Sequence, residues 1–126
     1  MRAIAIAMVS SVALWGASAS AAPVNDGRWA VRMVTDSGVC DRSYNYLIAV
    51  ENGGVRYIPQ DSDAPPTVSG HVSPSGAVTL DIRKGIARVA ASGSLNGQAG
   101  SGNWKLGILC SGRWTAQKRG PVQASR

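Results

Sequence analysis

The chain has 126 residues, a net charge of +6, 15 glycines and no phenylalanine. That length gives one domain with a modest core, which Val, Ile, Ala, Gly and a few Trp and Tyr must fill. Two cysteines and one histidine are too few for a four-ligand zinc site, and abundant Gly, Ser and β-branched residues argue against a helical fold.

The first 22 residues read as a secretory leader. Met1-Arg2 gives a positive start, Ala3 to Gly16 an uncharged apolar stretch, and Ala17 to Ala22 a run of small residues with overlapping Ala-x-Ala sites. The apolar stretch, about 14 residues, is too short to span a bilayer stably. Cleavage is expected after Ala19 or Ala21. This assigns residues 1–21 to a signal peptide, 22–120 to a single domain and 121–126 to a flexible tail. Of the 13 Lys and Arg, loss of Arg2 leaves 12 against 7 acidic residues, a net charge of +5. No cysteine follows the small-residue run, so a lipoprotein anchor is not expected. The location implied is periplasmic or secreted.

Along the rest of the chain, apolar and polar residues alternate with the two-residue period of strands. Arg28 to Thr35 places Trp29, Val31 and Met33 on one face. Ser43 to Glu51 does the same for Tyr44, Tyr46, Ile48 and Val50. Asn52-Gly53-Gly54 is a hairpin turn, because Asn and Gly accept positive φ. Val55 to Pro59 returns with Val55 and Tyr57 aligned, and Gln60 to Pro66 forms the longest loop. Thr67 to Ser73 and Ala77 to Arg83 flank the turn Pro74-Ser75-Gly76, setting Val68, Gly70 and Val72 against Val78, Leu80 and Ile82. Lys84-Gly85 leads into a strand over Ile86 to Leu95, and Asn96-Gly97 turns the chain again. Strands near Ala99 to Leu106 and Cys110 to Gln117 complete a set of eight, with no helix after the leader.

Eight sequential antiparallel strands predict an all-β fold, a closed up-and-down barrel, with a two-sheet sandwich as the alternative. Closure removes the exposed edges that promote aggregation. Cys40 lies just after the first strand and Cys110 begins the last. In a closed sheet those two positions meet, so a Cys40–Cys110 disulfide is expected, as an even pair in an oxidising compartment also suggests.

Gly-x-Trp occurs three times, at Gly27-Arg28-Trp29, Gly102-Asn103-Trp104 and Gly112-Arg113-Trp114. The reading favoured by packing is that these indoles fill the core and cap the barrel. The functional alternative makes Trp29, Trp104 and Trp114, with Tyr44, Tyr46 and Arg113, a ligand-binding set. A Gly-x-Trp on the first strand resembles the signature of the calycin barrels, which include lipocalins, avidins and small inhibitors of periplasmic metalloproteases. That resemblance implies an arginine near the last strand packed over Trp29, for which Arg113 or Arg119 is the candidate. For an inhibitor it implies an N-terminal segment, Ala22 to Asp26, that enters the protease. The runs Asp26-Gly-Arg-Trp, Asp36-Ser-Gly-x-Cys-Asp-Arg-Ser-Tyr, Val68-Ser-Gly-x-Val and Cys110-Ser-Gly-Arg-Trp-Thr-Ala cover nearly the whole domain. They resemble a group of short exported β-rich hypothetical proteins of Gram-negative bacteria, which implies fold and export rather than a chemistry.

Catalytic machinery is not evident. His71 shares the face of Thr67, Ser69 and Ser73, a solvated surface, with no acid or activated serine to complete a triad. Asp61 and Asp63 share a loop and do not flank a cleft as glycosidase carboxylates do. With Asp36 and Asp41 they match no calcium loop. Arg32, Arg56, Arg83, Arg88 and Arg113 fall on several strands, and Arg32 and Arg83 are expected to point outward. Such a surface suits an anionic envelope component; nucleic acid is excluded by the leader and the lack of a recognition motif. The expectation is a monomeric, non-enzymatic binding module without cofactor, for an anionic or small ligand. A calycin-type protease inhibitor and a structural envelope protein are the alternatives.

Overall fold

The computed structural model describes residues 23–60 and 65–122. The expected signal peptide, Asp61, Asp63 and the last four residues of the expected tail lie outside them. The described residues form eight strands: β1 (Gly27–Gly38), β2 (Ser43–Glu51), β3 (Gly54–Tyr57), β4 (Thr67–Val72), β5 (Ala77–Lys84), β6 (Ala87–Leu95), β7 (Ala99–Leu106) and β8 (Cys110–Gly120). They close in sequence order into an antiparallel up-and-down barrel, not a sandwich, with no helix among the described residues.

Turn chemistry sets the strand limits. At Asn52-Gly53 both residues take positive φ, 50° and 84°, the twist that matches a two-residue hairpin to right-twisted strands. The Lys84-Gly85 turn lies one residue later than the alternation implied. Gly85 (φ 61°) and Ile86 are the turn, so Ile86 leaves the strand and projects fully into solvent. β1 and β8 extend past their expected ends, and their pairing is the longest in the barrel, from Arg28↔Gly120 to Gly38↔Cys110. It contains two irregularities, one between Arg28 and Trp29 and one between Thr35 and Ser37. β3 and β4, joined by the long loop, register only at Gly54↔His71.

Every strand turns its alternate apolar residues inward, and Trp29, Val50, Trp104, Ala116 and Trp114 are among the most buried. The space left at the centre is about 30 Å³ and lined by apolar side chains such as Val31, Leu80 and Trp114. The interior is therefore a packed core, not a ligand chamber. Cys40 and Cys110 form the expected disulfide, Cα to Cα 6.0 Å, tying the end of β1 to the start of β8. The bridge is compatible with an oxidising, non-cytoplasmic compartment.

Candidate functional site

The three tryptophans among the described residues divide by height in the barrel. Trp29 is fully buried at the end holding the β2–β3, β4–β5 and β6–β7 turns, its Nε1 donating to the Asn25 carbonyl at 2.9 Å. The cation over its ring is Lys118, Nζ 5.5 Å from the centroid, and neither Arg113 nor Arg119. The irregularity between Arg28 and Trp29 explains this. It steps the register from Gly120 to Lys118, so Arg119 is passed over. Lys118 Nζ also donates to the Val24 carbonyl at 2.7 Å.

On β7 and β8 the repeated Gly-x-Trp is an exchange. Trp104 lies opposite Gly112, and Trp114 lies opposite Gly102. A Cβ on Gly112 would strike the Val34 carbonyl and the Trp104 indole; one on Gly102 would strike the Ser92 carbonyl and the Trp114 indole. Each glycine thus leaves a slot for the other strand's ring. Trp104 Nε1 donates to the carbonyls of Val34 (3.1 Å) and Arg113 (3.2 Å), and Trp114 Nε1 to Ser92 (3.0 Å). Both indole N–H groups are thereby engaged by the protein itself. Trp29 and Trp114 are core residues and take no part in a surface site.

Trp104, Tyr44 and Tyr46 do come together, at the end carrying the disulfide. They line a cavity of about 160 Å³ with Met33, Ile82 and Leu106, and Cys40 and Lys84 stand at its wall and rim. Tyr44 meets Trp104 edge-on, centroids 6.4 Å apart and planes at 89°, and stacks near-parallel with Tyr46 at 6.5 Å. Tyr46 in turn meets Tyr57 edge-on at 6.2 Å. Edge-on and offset pairs fix ring positions by quadrupole attraction. The Tyr44 hydroxyl accepts the Asp41 N–H at 3.0 Å, which ties the cup to the β1–β2 connection. Burial, with the neighbouring Tyr44 and Tyr57, raises the Tyr46 phenol above the usual range, so it stays neutral at physiological pH. Lys84, Ile82 and Leu106 belong to this cup but escape sequence reasoning, because no local pattern shows which strand ends converge around one mouth.

Arg113 is not in the cup. It points outward, and its guanidinium grips Asp36 at 2.8 and 3.0 Å. Asp36 is the residue set out of register between Thr35 and Ser37. Arg56 pairs with Glu51, and Arg83 and Arg88 share Asp81. Four of the five arginines singled out in the sequence are thus held by carboxylates along the wall, and the basic face is interrupted. Hydrogen bonding to Arg113 holds the Asp36 carboxyl below its ordinary value, and hydrogen bonding to Arg88 does so for Asp81. A depressed folded-state pKa adds stability above the unfolded value of 3.8 that is lost as pH falls through the folded one. Thermal melts of Asp36→Asn/Asp81→Asn are therefore expected to show a flatter acid limb below about pH 4 than the parent chain. Identical limbs would show that these exposed pairs contribute nothing.

His71 is exposed, on β4 near the β2–β3 turn, as its alternation implies. Of the segment Ala22 to Asp26, Asn25 and Asp26 are tied to the barrel. Asn25 is buried, its Oδ1 accepting the Gly97 N–H at 2.9 Å, and Asp26 Oδ1 accepts the Asn52 N–H at 2.9 Å. Comparison with family models, with curated proteins and with solved structures finds no match for this chain.

Proposed function

We infer that the protein is an exported, non-enzymatic binding module of the cell envelope, periplasmic or secreted, whose contact site is the aromatic cup at the disulfide end. One observation carries the reading: a partly enclosed cavity of about 160 Å³ with three aromatic rings held in fixed mutual geometry. A dry apolar cavity near 150 Å³ is enough to hold a single benzene ring. The cup therefore suits one aromatic ring or a short alkyl group. Lys84 at its rim adds an attraction for an anionic substituent. Small amphipathic anions are the ligand class favoured. The inhibitor alternative needs an extended N-terminal segment, whereas Asn25 and Asp26 are clamped over the opposite end of the barrel.

The test is a two-dimensional amide and indole NMR titration with indole-3-acetate, hexanoate and uncharged indole. Shifts are expected at Tyr44, Tyr46, the Trp104 indole and Lys84, with the Trp29 indole unmoved as an internal reference. Lys84→Gln should weaken indole-3-acetate and leave indole unchanged. No localised shift with any probe up to about 10 mM, too weak to count as a site, overturns the reading.

A further inference from the structure

The short turns at the two ends of the barrel carry opposite chemistry. At the end with Trp29 the three turns are Asn52-Gly53, Pro74-Ser75-Gly76 and Asn96-Gly97-Gln98. These are the small and polar residues that turns ordinarily use. At the disulfide end the three short connections expose Val39 after β1, Ile86 between β5 and β6, and Ile108 and Leu109 between β7 and β8. Four of the five exposed large apolar side chains on the described surface are these; the fifth, Val24, is at the other end. Folding does not call for them. Gly85 and Gly107 take the positive φ their turns need, 61° and 52°, and Ile86 and Ile108 beside them bury nothing.

Each of these connections has a cation within three residues of its apolar tip in sequence: Arg42 after Val39, Lys84 before Ile86, Lys105 before Ile108. All three are exposed and outside any ion pair among the described residues. Of the three described acidic residues near this end, two are neutralised. Asp36 and Asp81 are held by arginines, leaving Asp41 as the one described carboxylate here outside a salt bridge. The fourth connection at this end joins β3 to β4 and lies partly outside the described residues.

We propose that this end is a membrane-docking face: Val39, Ile86, Ile108 and Leu109 enter the interfacial region of an anionic lipid leaflet, with Arg42, Lys84 and Lys105 at phosphate level. An apolar tip beside a long cationic side chain is the arrangement that satisfies both layers of a bilayer surface. A protein partner is the poorer fit. Stable protein interfaces need a continuous complementary patch of roughly 800 Å² on each side, whereas these tips are separate protrusions around an open mouth. A bilayer deforms around each one. Docking does not require the cup to be occupied, and Ile86 and Ile108 do not line it.

The experiment is vesicle flotation of protein matured by export of the full chain. It compares phosphatidylglycerol/phosphatidylethanolamine vesicles with phosphatidylcholine vesicles. Flotation with the anionic vesicles is expected, weakened about tenfold for each large apolar tip withdrawn in Ile86→Asp/Ile108→Asp, and unchanged in Val24→Asp. Ile86→Ser/Ile108→Ser should weaken it in the same direction without added negative charge, and circular dichroism should show all variants folded. Every variant carries the same N-terminus, so a difference between them belongs to the tips. The proposal is overturned by no flotation, by equal binding to neutral vesicles, or by flotation that the tip variants leave intact. It is also overturned by a dimer, seen in light scattering without lipid, that the tip variants dissolve, because a second copy would then cover the face.

Discussion

Reducing the Cys40–Cys110 bridge is expected to lower the melting temperature by about 20 °C. The two cysteines are 70 residues apart in sequence, so the bridge restrains most of the unfolded domain. Chain entropy credits a loop of that length with about 4 kcal/mol, against roughly 5–15 kcal/mol for a typical domain. The native positions are prepared without it, since Gly38↔Cys110 is the last pair of the β1–β8 ladder. Reduction therefore acts mainly on the unfolded state, and the reduced protein should still fold in the cold. Calorimetry with and without reductant measures the shift, and intact mass should report two hydrogens gained. A fall below about 5 °C would mean that the reduced unfolded chain keeps structure of its own around β1 and β8.

Trp29→Ala should cost about 3–5 kcal/mol, the usual toll for deleting a buried tryptophan. The side chain has no solvent exposure and closes the end opposite the cup. Its removal also strands the Asn25 carbonyl, which accepts the indole N–H, and leaves Lys118 with no ring beneath it. Residues 23–26 are then held by fewer bonds, and cleavage by protease should begin there. Trp29→Phe keeps most of the apolar volume and loses the hydrogen bond, so about 1–2 kcal/mol is expected. Urea titration separates the two variants. Equal losses would show that the hydrogen bond, not the volume, is what holds this end.

All eight strands were legible in the sequence because one face of each is buried and one is wet, which stamps period two on the residues. The bridge was legible for the same reason, since closure in sequence order leaves β1 and β8 as neighbours. What escaped depends on partners remote in sequence. That Lys118 and not Arg119 covers Trp29 follows from a one-residue irregularity in the β1–β8 ladder, and nothing in β8 alone reveals it. The Gly-x-Trp repeat was visible, but the exchange of slots between β7 and β8 needs the register. Of the aromatic set, Tyr44, Tyr46 and Trp104 meet at the mouth, while Trp29 and Trp114 are core and Arg113 is on the wall. Inward-facing was readable from alternation; height along the barrel axis was not. Ile86 shows the reverse error, an apolar residue taken into a strand by its chemistry and placed in the turn by the glycine before it.

The β1–β8 ladder has a mechanical side. β1 begins and β8 finishes at the same end, beside each other, where Arg28 Nε donates to the Pro121 carbonyl at 3.1 Å. A pull that separates the two chain ends would load this ladder as a zipper, parting one residue pair after another instead of shearing them together. The tear would run from Arg28↔Gly120 toward Gly38↔Cys110 and halt at the covalent bridge. Everything between Cys40 and Cys110 would remain a closed loop that tension on the ends cannot reach. A tether at either terminus could therefore strain the outer strands while leaving β2 to β7 out of the line of force.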